Sequence, residues 1–215
     1  MKNDLAKNDR RKFLRNSAML TSGLAAVPLM GMSNDLPAQQ EDGLYIIGPM
    51  EGYDAQVGTL LSTMNMMRVW VISTVENLTV TELDYQVDDE SNSIGAMLLH
   101  LAATEKYYQL HTFEGLEWGT WSDDIKNEWD IAGGLGAAGR EQIVGNEVSF
   151  YLQKLEEIRA VTKKEFARRG DAWLMEIDED WPWGPTNNFC KWFHVCEHES
   201  NHRGQMKFIT KRLPS

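Results

Sequence analysis

The chain has 215 residues, enough for one ordinary domain with appendages and too few for two large ones. With 42% hydrophobic, 25% charged and 10% aromatic residues it has the composition of a protein that buries a core, which excludes intrinsic disorder for its bulk. The formal charge is -11, and beyond residue 33 there are 15 basic against 30 acidic groups, a balance that repels phosphate backbones and anionic lipid. No basic patch offsets it, so neither nucleic acid nor a stable membrane association is expected. Cys190 and Cys196 are too few for a disulfide framework and, six residues apart on a helix, point about 240° away from each other, so both read as free thiols.

In chain order, Asp9-Arg10-Arg11-Lys12-Phe13-Leu14-Arg15 precedes an uncharged apolar stretch from Asn16 to Ser33. That is a basic segment followed by an apolar one too short and too Gly-rich to span a bilayer comfortably. The paired arginines followed by Phe-Leu resemble a twin-arginine export signal, which implies a periplasmic or extracellular destination. Residues 1–33 are expected to be this signal, residues 34–49 a flexible lead-in, and residues 50–215 the folded domain.

Four helices are predicted in that domain. From about Gly52 to Leu78 the residues Val57, Leu60, Leu61, Met64, Met67, Val71 and Val75 recur at three- and four-residue steps, until Thr79 and Thr81 interrupt them. The second helix starts after Ser93, a cap, and runs from Ile94 to about Phe113 through Met97, Leu98, Leu101 and Tyr108. Residues 114–139, with Gly133-Gly134-Leu135-Gly136, read as a long irregular connection of the kind that often carries function. The third helix covers about Arg140 to Arg169 and closes at Gly170. Ala172 to Ile177 is a candidate short extended piece, and Trp181-Pro182-Trp183-Gly184-Pro185 forbids regular structure. Thr186 is the candidate cap of a fourth helix that runs to Leu213.

The chemistry is concentrated in that fourth helix. Trp192, Val195, Glu199, His202, Met206, Ile209 and Leu213 form one inward stripe whose middle is polar. His198 and His202, one turn apart, aim two imidazoles at one point about 6 Å wide, a spacing that suits a metal ion; His194 lies further toward the edge. Such a pair alone also describes two hydrogen-bonded core histidines. His100 adds to it, because it interrupts the apolar run Met97-Leu98-Leu99-His100-Leu101-Ala102-Ala103, where an unpaired imidazole would cost roughly 1–3 kcal/mol. Either a backbone carbonyl satisfies it, or it is a third ligand from a neighbouring helix, leaving coordination positions open for water or substrate.

His194-Val-Cys-Glu-His198-Glu-Ser-Asn-His202-Arg-Gly-Gln205 resembles the C-terminal helix signature of the DinB/YfiT-like family of metal-dependent enzymes, and Ser93-Ile-Gly-Ala-Met-Leu-Leu-His100-Leu-Ala-Ala-Thr-Glu105 resembles its second-helix signature. The match spans about Met50 to Leu213. The resemblance implies an all-α, up-down-down-up four-helix bundle, often a homodimer, with one divalent metal ion held by His100, His198 and His202. Assigned activities in that family include thiol S-transfer with bacillithiol or mycothiol and a mycothiol-dependent isomerisation. These thiols are cytosolic, and an export signal sets this chain apart from them.

The leading expectation is therefore a metal-dependent hydrolase or transferase acting on a small molecule, with the ion activating a bound water or thiolate. Zinc or nickel suits three imidazoles, and iron or copper is also compatible. Glu199, between the two ligands of the fourth helix, is the candidate proton acceptor, or else pairs with Arg203 four residues on or with a group behind the ligands. Glu105 is 140° from His100 and is not expected at the ion. Tyr107, Tyr108, Trp118, Trp121, Trp181 and Trp183 either wall a pocket by the metal or fill the core. The methionines, Met64-Asn65-Met66-Met67 included, read as gap fillers before copper ligands. A thiol S-transferase and a non-catalytic metal- or ligand-binding envelope protein are the alternative functions.

Overall fold

In the computed structural model, which describes residues 43–214, the apolar stripe of the first predicted helix is wholly buried. It belongs to α1 (Ala55–Val75). The expected signal and most of the lead-in lie outside the described residues. The rest follow as α2 (Val80–Leu83), α3 (Ile94–Thr112), α4 (Asp123–Gly134), α5 (Gly136–Gln142), α6 (Val148–Phe166), α7 (Asp171–Leu174), β1 (Ile177–Asp178), β2 (Thr186–Asn187) and α8 (Asn188–Thr210).

The long helices α1, α3, α6 and α8 form the bundle, and its two ends give their directions. At one end the C-terminal Val71 and Val75 of α1 and Met206 and Ile209 of α8 share a core with Ile94 and Met97 at the start of α3 and Tyr151 and Leu155 at the start of α6. At the other, Val57 and Leu61 of α1 and Trp192 and Val195 of α8 meet Tyr108 of α3 and Phe166 of α6. Thus α1 and α8 run one way and α3 and α6 the other, the expected up-down-down-up arrangement. Close packing tightens the first end: a Cβ on Gly95 would lie 2.6 Å from the Tyr151 hydroxyl, so only glycine lets α3 and α6 approach there.

The helix ends are set by local chemistry. Ser93 caps α3 as expected, its hydroxyl accepting from Ala96 N at 3.2 Å. Thr79, which interrupts the first stripe, forms a capping box with Glu82 and starts α2. Thr186 does not cap the last helix; it is in β2, and the side chain of Asn187 accepts from Cys190 N at 2.9 Å instead. α6 ends at Phe166, before Gly170, which is the cap residue of α7. Residues 171–174 are helical, and only Ile177–Asp178 is extended, paired antiparallel with Thr186–Asn187.

The largest departure is the connection between the second and third long helices, which contains α4 and α5. Ser122 caps α4 and Asp123 and Asp124 face its positive end, while Trp129 and Ala132 bury against the core. The glycines end helices here: Leu135 and Gly136 take positive φ values of 51° and 65° at the joint between α4 and α5. α6 accordingly begins at Val148, later than the expected Arg140. No helix among the described residues is long and apolar enough to cross a membrane.

Candidate metal centre

α3 and α8 pack side by side, and their facing turns bring His100, His198 and His202 together. One ring nitrogen from each lies within 4.8 Å of the others. His100 Nε2 and His198 Nε2 are 2.8 Å apart. His100 Nδ1 lies 2.9 Å from the Ala132 carbonyl, which can only accept, so Nδ1 carries the proton and Nε2 presents its lone pair to the cluster. The backbone-carbonyl expectation for His100 holds, and that bond fixes a tautomer whose other nitrogen is free to face the cluster. That carbonyl belongs to α4, the helix read from sequence as irregular chain.

Burial, reinforced by the neighbouring imidazoles His202, His100 and His194, lowers His198 to about 3. Burial and His100 lower His202 to about 4, against an opposing contribution from Gln205. His100 is lowered by burial despite its backbone bonds to Ala132 and Gly133. All three are neutral at pH 7, the state that ligates metal. His202 Nδ1 is buried with no hydrogen-bond partner among the described residues. A free lone pair of His100 only 2.8 Å from a His198 ring nitrogen, with a third imidazole beside them that has a partnerless buried nitrogen, fits a cation, and three imidazoles are a donor set that divalent transition metals accept.

These shifts predict how the metal-free protein responds to acid. An unfolded histidine binds a proton near pH 6.5, whereas His198 and His202 resist until about 3 and 4. Their contribution to stability is complete above about 6.5 and is lost as the pH falls toward those values. The metal-free Tm should therefore drop between about pH 7 and 5, above the range in which ordinary carboxylates titrate. His198→Gln should flatten that drop; equal slopes in the two proteins would contradict the assignment.

Directly below the histidines every long helix contributes one buried charge: Arg68 from α1, Glu105 from α3, Arg159 from α6 and Glu199 from α8. Glu199 Oε1 accepts from Arg68 Nη2 at 2.6 Å and Arg159 Nη2 at 2.7 Å. Glu105 accepts from Arg159 Nε at 2.8 Å, Arg68 Nη2 at 2.9 Å and Thr162 Oγ1 at 2.6 Å. Burial alone would raise the Glu105 carboxyl, but Arg159 and Arg68 outweigh it and hold it at about 2. Glu105 is thus outside the histidine cluster, the side its angle from His100 suggested. Glu199 lies outside the histidine cluster and does not pair with Arg203, whose Nε donates to the Trp70 carbonyl at 3.1 Å.

Above the histidines is a cavity of about 270 Å³, onto which His100 and His198 open. Its walls include Tyr107, Tyr108, Trp118, Trp181 and Trp183, so the pocket reading of these aromatics holds for all but Trp121, which stacks on Tyr107 from behind at 5.4 Å. The edge histidine, His194, is also in this wall, with Nδ1 2.9 Å from the Tyr108 hydroxyl. Burial raises the Tyr108 phenol, which therefore stays protonated. The roof is the strap between β1 and β2. It is fastened by Lys191, whose Nζ lies 2.7 Å from Asp178 Oδ2 and 2.9 Å from His111 Nε2, and 4.5 Å from the Trp181 ring centroid. Asp178 is half-buried, whereas its acidic neighbours Glu176, Glu179 and Asp180 are exposed. Cys190 and Cys196 are free.

Over residues 67–206 the sequence matches the profile of the DinB superfamily. The chain belongs to the DinB superfamily. Members of this superfamily generally bind metal, and the three-histidine cluster is where this DinB chain can do so. No curated protein matches it. Sequence reasoning missed Arg68 and Arg159, the Tyr108–His194 pair and the Lys191 fastening. Arg68, Arg159 and Lys191 did leave a signal, a cation at a position that helical spacing turns toward the interior.

Proposed function

We propose that this DinB protein is a metal-dependent hydrolase or transferase of small molecules, built on a three-histidine divalent-metal centre with open coordination. The observation that supports this most is the pairing of three neutral, converging imidazoles with a cavity that reaches two of them directly. A structural zinc site normally has four protein ligands, and three leave a position for water or substrate. An ion bound there would supply Lewis acidity, bringing a bound water's pKa toward about 7.

The protein's own groups divide the remaining work. His100, His198 and His202 hold the ion, and the Ala132 carbonyl orients His100. Tyr108, protonated and paired with His194, offers a hydroxyl to a substrate oxygen in the cavity. Glu199 positions α8 and its two ligands through Oε1, which it shares between two guanidiniums, while its Oε2 is buried with no partner among the described residues. The strap covers one side of the cavity with Trp181, Pro182 and Trp183. Zinc or nickel is the proposed ion, and export is supported by Arg10-Arg11-Lys12-Phe13-Leu14, through a route that carries folded, already loaded proteins.

The test is metal analysis of the purified protein followed by a screen of esters, amides and thiol conjugates. We expect about one divalent ion per chain and turnover of at least one class, abolished by chelation and restored by the metal. An ion without any turnover would instead make this a binding module.

A further inference from the structure

We infer that the cavity above the histidines takes an uncharged, flat aromatic group of one or two rings, carried by a substrate whose polar head reaches the ion. The inference rests on the open-coordination reading of the three histidines. Its observations are in the cavity wall.

The residues lining the cavity include no Lys, Arg, Asp or Glu. The cation packed behind the wall, Lys191, is tied to Asp178 and His111 and covered by the Trp181 ring, so it offers nothing to an anion in the cavity. Away from the ion, a ligand carboxylate placed here would be desolvated beside no basic side chain, on a protein whose formal charge is already -11. The wall is therefore ill-suited to acidic thiols and suited to carbon.

The arrangement of the rings narrows the shape. Trp118 packs edge-on against Tyr108 and against Trp181, both at 5.0 Å between centroids. Trp183 does the same to Trp181 at 5.5 Å and to His194 at 5.0 Å. Rings interlocked in this way form a continuous surface for another ring to stack on, rather than a cage of faces around a cation. At about 270 Å³ the space is that of a small ring system. Trp183, 57% exposed, and Trp118, 36% exposed, leave apolar surface uncovered beside it, surface that an aromatic ligand would cover.

Two hydroxamates that share a metal-binding head test this. Titrated into the zinc-loaded full chain and followed by calorimetry, naphthohydroxamate should bind at least about tenfold more tightly than acetohydroxamate. Trp183→Ala, at a half-exposed position, should remove most of that ratio, and Phe193→Ala, on exposed surface outside the cavity, should preserve it. Equal affinities, or a preference that survives Trp183→Ala, would overturn the aromatic assignment and leave the metal centre standing. A chain that carries zinc yet binds neither hydroxamate would show that no coordination position is open, and the reading beneath the inference would fall with it.

Discussion

Arg159→Met should lower the stability of the metal-free protein by about 3–5 kcal/mol in urea unfolding. Arg159 is 1% exposed, and its guanidinium reaches both Glu105 oxygens, at 2.8 and 3.1 Å, and Glu199 Oε1 at 2.7 Å. Without it two buried carboxylates share the single guanidinium of Arg68, and the layer changes from neutral to one excess negative charge. Methionine fills much of the volume, so the loss reports charge rather than a void. Arg159→Lys should recover only part of it, since an ammonium cannot make the forked contacts to both carboxylates. Replacing Glu105 by Gln alongside Arg159→Met restores neutrality and should cost less than the sum of the two single changes. A loss of under about 1 kcal/mol for Arg159→Met would mean that the layer contributes little to holding the four helices together.

His100→Ala, His198→Ala and His202→Ala should each weaken metal binding by at least about 100-fold, more than the loss typical of an orienting group behind a ligand. His194→Ala should leave metal content unchanged, because its ring is outside the converging set and faces Tyr108. The measurement is ion content after dialysis, with circular dichroism to confirm that each variant is folded. Folding should survive, since the metal-free site already consists of neutral imidazoles, and His202→Ala removes a buried nitrogen that has no partner among the described residues. Full metal content in all three variants would remove the basis for the centre.

The three clustered histidines were legible because each puts a polar ring where the pattern calls for an apolar side chain. His198 and His202 occupy the inward stripe of a helix at the spacing of one turn, and His100 interrupts an apolar run where an imidazole has no reason to be. The four long helices were legible by the same periodicity, which predicts the buried face of α1 residue by residue. The charge layer was not, because its partners are far apart in sequence: Arg68 meets Glu105 across 37 residues and Glu199 across 131. Local reasoning instead offered Glu199 the residue four positions on, Arg203, which stacks on Trp70. α4 and α5 were hidden for a different reason. Glycines that read as breakers mark where one helix ends and the next begins, and the acidic first turn that starts α4 has the composition of a loop until its cap is recognised.

The charge layer and the aromatic wall come from different parts of the chain. All four charges stand on long helices, each paired with the two of opposite sign, whereas Trp118, Trp181 and Trp183 belong to connecting segments that carry none of them. Exchanging a wall tryptophan therefore leaves untouched the contacts that hold the ligand-bearing helices in register. The bundle works as a chassis: the cavity wall can be re-cut by editing two surface segments while the three histidines keep their places on the helices.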